Sequence, residues 1–193
     1  MRIEGKKVAL VSLEECDLHE LWELAYGVEN PEWKEWDAPY FPFERLSYED
    51  YCEHIDRVLS TGDPVPHRVA ITTRDGQLIG TVSYYWEHKE SLWLEAGIAI
   101  YNPRFWNGGY GTEALRLWVD HLFRFIPLVR AGLTTWSGNV RMIRAAEKVG
   151  MQMEARIRKV RLYNGVFYDS IRMGVLREEW QDRMHLMKGY PWM

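Results

Sequence analysis

The stretch Asn107-Gly108-Gly109-Tyr110-Gly111 constrains this chain's fold more than any other. It ends an aromatic run. Directly after it come Leu115, Trp118, Leu122 and Phe125, a stripe at helical spacing that Pro127 stops. Three glycines ahead of a helix cost conformational entropy, a cost offset where a ligand must approach the backbone closely. A helix N-terminus offers unpaired N–H groups and the positive end of a dipole, so a phosphate suits it. Gly108, Gly109, Tyr110, Gly111 and Thr112 therefore read as a pyrophosphate cradle. The alternative is a glycine turn that only packs strand against helix.

The surroundings narrow the ligand. A nucleotide-triphosphate loop needs Gly-Lys-Ser/Thr, and here Thr112 follows Gly111 with no lysine. Gly109 to Ala114 fits the dinucleotide pattern G-x-G-x-x-G/A, which also wants an acid after the next strand to hold a ribose. From His121 to Ala146 there is no acid. The charged side chains there are Arg124, Arg130, Arg141 and Arg144, which suit further phosphate.

Periodicity places the other elements. Lys7–Leu13 reads as a strand, and Leu18, Leu21, Trp22 and Ala25 as one helical face. Ser47 reads as the N-cap of a helix carrying Tyr48, Tyr51, Ile55 and Leu59. Strands are predicted over Arg68–Thr73, Leu78–Trp86 and Leu92–Tyr101, the first two joined at Asp75-Gly76. Leu128–Trp136 reads as a strand and Val140–Val149 as a helix ended by Gly150. Arg156–Tyr163 and Val166–Leu176 form a hairpin across Asn164-Gly165, and the stretch to Met193 shows no clear period. The expected fold is α/β: a mixed, mostly antiparallel sheet flanked by helices, as one domain over residues 1–193.

Trp106–Phe123 resembles the acyl-CoA motif of the GNAT (GCN-related) N-acetyltransferase superfamily, Q/R-x-x-G-x-G/A. It is most similar to the RimJ/RimL-like branch, where an aromatic replaces the Q/R, as Trp106 does here. "SGNVRMIRAAEKVGM" resembles the family's next segment, and "YNGVFYDSIRMGVLREEW" its terminal hairpin. The resemblance implies a V-shaped splay between the strand ending near Tyr101 and the strand Leu128–Trp136. Backbone groups of Ile98, Ala99 and Ile100 would hold the pantetheine of acetyl-CoA and polarise its thioester. Asn139 would contact the cofactor, or cap the helix Val140–Val149, or do both.

The implied reaction is acetyl transfer from acetyl-CoA to a primary amine: a protein N-terminus, a polyamine or another small amine. A lysine-like amine of pKa ~10.4 is only ~0.04% neutral at pH 7, so a base must take its proton. Glu95 is the candidate, the alternative being a surface strand carboxylate. Many relatives supply a tyrosine two residues before the lysine of this helix to protonate the leaving thiolate. Ala146 stands there, and Tyr163, Tyr168 and Ser137 are unranked substitutes. Asp169 reads as structural. The missing tyrosine keeps a non-catalytic acyl-CoA sensor as the alternative function.

The segment "ENPEWKEWDAPYFPFE" holds Glu29, Glu32, Glu35, Asp37 and Glu44 against one Lys34, interleaved with aromatics. Acids beside aromatic faces favour a cation, so Trp36 and Asp37 are expected to bind the acceptor. The alternatives are a satellite aromatic core under a solvated acidic loop, or a homodimer contact. A net charge of −4 disfavours a general nucleic-acid partner. Cys16 and Cys52 are the only cysteines, and no Cys/His pattern has metal spacing, so no metal is expected. The start MRIEGKKVAL lacks a signal peptide's apolar run, and no stretch approaches a membrane span in length. The reading is a cytoplasmic enzyme.

Overall fold

The computed structural model describes residues 1–188. Three strands and two helices come first: β1 (Arg2–Glu4), β2 (Val8–Val11), α1 (Glu15–Tyr26), α2 (Tyr48–Leu59) and β3 (Arg68–Thr73). Next are β4 (Leu78–His88), β5 (Trp93–Ile100), α3 (Tyr110–Phe125), β6 (Arg130–Trp136) and α4 (Val140–Val149). The chain then forms β7 (Gln152–Tyr163), β8 (Val166–Leu176) and α5 (Arg177–Lys188). The strands make one eight-stranded sheet in the order β1-β2-β3-β4-β5-β6-β8-β7. Every pairing is antiparallel except β5 with β6. The expected mixed, mostly antiparallel sheet flanked by helices is the fold observed.

Local chemistry sets most boundaries. Ser47 Oγ accepts the Asp50 N–H at 3.1 Å and caps α2, as expected. Asn164 and Gly165 both take positive φ, at 48° and 75°, which a tight β7–β8 turn requires. Gly150 ends α4 at φ 105°.

Two elements were not legible. β1 extends the sheet edge ahead of the expected first strand. The stretch beyond Leu176 that showed no period is helical as far as Lys188, and residues 189–193 lie outside the described region. α5 escapes a periodicity reading because it is held at its first turn. Arg177 donates to the carbonyls of Phe123, Ile126 and Leu128 at 2.9, 2.7 and 2.6 Å, closing the C-terminal end of α3. Trp180 stacks on Phe123 and bonds Asp120 at 3.2 Å.

The sheet carries a core on each face. α3 and α4 cover one with Leu115, Trp118, Val119, Leu122, Ala146 and Val149. α1 and α2 cover the other with Leu18, Leu21, Tyr51 and Ile55 against Ala70 and Leu78. Burying one such large side chain contributes ~1.5–3 kcal/mol.

Candidate active site

The parallel β5–β6 pair sets the geometry. Its ladder runs Trp93–Arg130, Leu94–Ala131 and Glu95–Gly132, then stops. β5 continues to Ile100 paired only with β4, while β6 continues to Trp136 paired only with β8. The sheet is therefore split from this apex, as the resemblance implied. A cavity of about 380 Å³ occupies the split, lined by Ala96–Ile100 on one side and Leu133–Thr135 on the other.

Backbone direction decides what β5 can offer. The Tyr101 N–H bonds the Ile79 carbonyl on β4. Strand alternation then turns the N–H and C=O of Ala96, Ile98 and Ile100 toward the split. Those of Ala99 turn to β4, so the backbone contact expected of Ala99 falls to its neighbours. The Ile100 carbonyl accepts the Trp106 indole N–H at 2.8 Å, which fixes the aromatic of the glycine motif at the rim.

Gly109 is the N-cap of α3, at φ 84°. It has no side chain to cap the helix, so the N–H groups of Tyr110, Gly111 and Thr112 lack intrahelical acceptors. Gly109, Gly111 and Thr112 line the cavity. A Cβ on Gly111 would reach Ile100 and Ile98 side chains at 3.5 and 3.7 Å, ordinary contact, and would fill space in the cradle. Gly108 and Tyr110 do not line it. A Cβ on Gly108 would strike the Tyr110 ring at 2.8 Å, so this glycine serves the packing of the turn.

Glu113 anchors the cradle from below. This buried carboxylate accepts the backbone N–H groups of Lys6, Lys7 and Val8 at 2.7, 2.7 and 3.2 Å. Lys7 Nζ closes the turn on the Gly108 carbonyl at 2.6 Å.

α4 supplies positive charge. Arg141, Arg144 and Lys148 all line the cavity at i, i+3, i+7 spacing. Of the four arginines read from sequence, Arg124 pairs with Asp120 and Arg130 with Glu154, and neither lines the cavity; helical spacing would have added Lys148 to the other two. The Arg141 guanidinium lies 3.6 Å from the Trp36 ring centre and 4.4 Å from that of Trp106. Cavity, unpaired N–H groups and cations together fit the phosphates and pantetheine arm of a CoA thioester.

Asn139 caps α4. Its Oδ1 accepts the Met142 N–H at 3.0 Å, and its Nδ2 donates to the Trp36 carbonyl at 2.9 Å. It lines the cavity as well, with one amide hydrogen uncommitted. Ala146 is buried in the α3–α4 core, and the cavity-facing alanine of α4 is Ala145. Of the substitutes for the missing tyrosine, Ser137 Oγ accepts the Asp169 N–H at 2.9 Å. Tyr163 and Tyr168 pack on Trp136. None of the three lines the cavity. Asp169 pairs with Arg156 and accepts the Lys159 N–H, which holds the irregularity of β7 between Ile157 and Arg161.

Glu95 sits at the apex and is no surface carboxylate: it is 1% exposed. Its Oε2 accepts hydroxyl hydrogen bonds from Thr134 at 2.6 Å and Tyr85 at 2.9 Å. Its Oε1 accepts Arg172 Nη1 at 2.8 Å, and the same nitrogen reaches Glu87 at 2.8 Å. Arg172 supplies the counter-charge a buried carboxylate needs. Partial burial, and then the charge of Glu95, push the Tyr85 hydroxyl well above the ordinary phenol range. Sequence reasoning missed Tyr85, Glu87, Thr134 and Arg172, because strand register alone brings them together.

Trp36 and Asp37 both line the cavity. The Trp36 carbonyl receives the indole N–H of Trp136 and the amide of Asn139, each at 2.9 Å, which ties the loop to β6 and α4. One face of the Trp36 ring is already covered by Arg141. Farther along, Trp33 packs on Phe43, which stacks on Tyr26, so part of the loop is a satellite aromatic core. Glu29, Glu32, Glu35, Asp37 and Glu44 are exposed.

Residues 7–152 match the acetyltransferase (GNAT) domain family, so this chain belongs to the GNAT acetyltransferases. "Probable N-acetyltransferase YjcK" of Bacillus subtilis (strain 168) is 29% identical, over 92% of this chain and 98% of its own. "Uncharacterized N-acetyltransferase YnaD" of the same organism is 26% identical, over 77% and 92%. The fold is shared with spermidine N-acetyltransferase from Vibrio cholerae, solved with CoA and spermine. That match has TM-score 0.75 and 19% identity over 92% and 99% of the two chains. RimL, the ribosomal L7/L12 alpha-N-protein acetyltransferase solved with CoA, gives TM-score 0.74 and 16% identity over 91% and 98%. The chain is an acetyl-CoA-dependent N-acetyltransferase, an enzyme rather than a sensor. No described helix is long and apolar enough to cross a membrane. Among the described residues no cluster of His, Cys, Asp or Glu could hold a metal.

Proposed function

We propose that this enzyme acetylates a primary amine that carries additional positive charge, a polyamine or a cationic small amine ahead of a protein N-terminus. The observation that carries this reading is the exposed Asp37 carboxylate on the wall of the cavity. Four more exposed acids share its loop and raise the local concentration of a cation. The spermine in the Vibrio cholerae structure is in keeping with such an acceptor on this fold.

The assignment of roles follows the same reading. Gly109, Gly111 and Thr112 hold the pyrophosphate with the Tyr110 N–H, and Gly108 shapes the turn. Ile98 and Ile100 bind the pantetheine, Ala99 and Asn139 complete the wall, and Glu95 takes the amine proton. Trp36 and Asp37 border the acceptor. Residues 1–193 act as one acyltransferase unit, in the cytoplasm. Free Cys16 and Cys52 are in keeping with that compartment.

A panel of polyamines, small amines and N-terminal peptides, incubated with acetyl-CoA and read by mass spectrometry, tests the acceptor. The reading expects polyamines and cationic amines to give the highest kcat/KM. Preferential acetylation of neutral-flanked peptide N-termini would overturn it.

A further inference from the structure

The geometry points to Thr134 as the proton relay between the acceptor amine and Glu95. Glu95 cannot meet the amine directly, being buried and absent from the cavity wall. Two hydroxyls reach its Oε2, from Tyr85 and Thr134. Only Thr134 also lines the cavity, and it is exposed there. Its O–H is committed to Glu95 at 2.6 Å, so the oxygen's lone pairs are left to accept from the cavity side.

The position follows from the sheet. Thr134 lies two residues past Gly132, the last β6 residue paired with β5, and faces the same way. It is thus the first β6 side chain on this face after the strands part. Gly132 keeps the apex open: a Cβ there would stand 3.7 Å from Glu95 Oε1 and 3.2 Å from Arg130 Nη2.

The inference rests on the reading of Glu95 as the base. An ammonium N–H donates to Thr134 Oγ, and that N–H bond breaks as the Thr134 proton passes to Glu95 Oε2. The freed nitrogen lone pair forms the C–N bond to the thioester carbon. On collapse the C–S pair leaves on sulfur, and the second nitrogen proton balances the thiolate. Thr134 ends with a hydroxyl and Glu95 with one proton to return to solvent.

The charged and titratable groups around Glu95 are Tyr85 and Glu87 on β4 and Arg172 on β8. Arg130 on β6, bridged to Glu154 on β7, lies beside Gly132 on the same face. Neither bond of Arg172, to Glu87 or to Glu95, involves Thr134, so the pH response of the Thr134 variants isolates the relay.

The test measures kcat against pH and acetyl-CoA affinity by calorimetry for five variants, Glu95→Gln among them, with the best amine from the panel. Thr134→Val keeps the shape and removes the hydroxyl. It should lower kcat roughly ten- to hundredfold at pH 7, with acetyl-CoA affinity within about twofold. The deficit should narrow as pH rises toward the amine's own pKa. Thr134→Ser should restore most of the rate, and Thr134→Val in a Glu95→Gln background should add little. Tyr85→Phe should cost less than Thr134→Val. If Glu95→Gln is slow and Thr134→Val keeps the wild-type rate, the relay is overturned while Glu95 stands. If Glu95→Gln runs at the wild-type rate, the base reading itself falls, and the relay with it. A Thr134→Val deficit equal at every pH makes Thr134 structural. A deeper loss in Tyr85→Phe moves the relay to Tyr85. Should Thr134→Val fail to fold, Thr134→Ala is judged by the same outcomes.

Discussion

The two walls of the cavity are built from different materials. On one side, α3, α4 and the freed edge of β5 present main-chain N–H groups, with Arg141, Arg144 and Lys148 around them. On the other side, Thr134 of β6 lines the cavity and leads back to a network around buried Glu95, with Tyr85 and Glu87 from β4 and Arg172 from β8. The first wall needs only a glycine turn at the right place, since every residue supplies an N–H. The second needs five side chains in register. The first kind of wall suits any ligand with phosphates, while the second depends on which side chains the strands bring together. The Trp36–Arg141–Trp106 stack joins the two.

The sharpest way to break this contrast is at Glu95. Removing a general base costs ~10²–10⁴ in rate, so Glu95→Gln should lower kcat by that factor and leave acetyl-CoA affinity nearly unchanged. Stopped-flow thiol release across pH checks it, with the defect shrinking where the amine is already neutral.

Gly109→Val should show the opposite signature. Losing two hydrogen bonds to a charged group, at ~1.5–3 kcal/mol each, weakens acetyl-CoA binding roughly a hundredfold or more. Because Gly109 is left-handed, valine there also strains the turn by ~1–2 kcal/mol. Gly111→Ala is the cleaner partner, since its Cβ meets the protein only at ordinary distances. It should weaken acetyl-CoA binding with little change in melting temperature. Calorimetry beside thermal unfolding separates the two, and unchanged affinity in folded Gly111→Ala would remove the cradle assignment.

Smaller effects probe the junction. Asp37→Asn should raise KM for a doubly charged amine several-fold, in line with ~0.5–1 kcal/mol for an exposed charge pair, and leave acetyl-CoA affinity intact. Trp36→Ala should raise KM for both substrates, because its ring also supports Arg141. A change confined to the amine would show that the stack does not couple the walls.

The smallest expected effect lies away from the cavity, at Asp63. Burial raises this carboxyl, but hydrogen bonds from Lys89, His67 and Trp86 outweigh it and bring it down to about 2. Since the folded value lies below the unfolded ~3.9, the pair network stabilises the protein above pH ~4. That contribution is lost as pH falls from ~4 toward ~2. Asp63→Asn should lower the melting temperature at pH 7 and flatten its acid dependence in that window, with kcat unaffected. Identical acid curves for the two proteins would show that the network adds no stability.

How much of this was legible differs element by element. α4 was read to the residue because Asn139 and Gly150 are local signals that act within one turn of helix. The glycine turn ahead of α3 was legible for the same reason: N–H direction at a helix start follows from chain order. β1 was not, since three residues hold as a strand only through their β2 partners. α5 was missed because Arg177 caps a helix end some fifty residues earlier. Glu95 was singled out through family position, but its burial was not legible.

The sequence by itself determined the family, the order of elements from β2 to β8 and the glycine turn ahead of α3, which rest largely on signals between near neighbours. Only the tertiary structure decided that β5 and β6 part after Glu95 and Gly132, and that the backbone N–H and C=O of Ala99 turn to β4. It alone joined Thr134, Tyr85 and Arg172 to one carboxylate, up to 77 residues apart in the chain. The physical reason is register. A strand's face and the end of its ladder are set by its partner, and no residue carries that information alone.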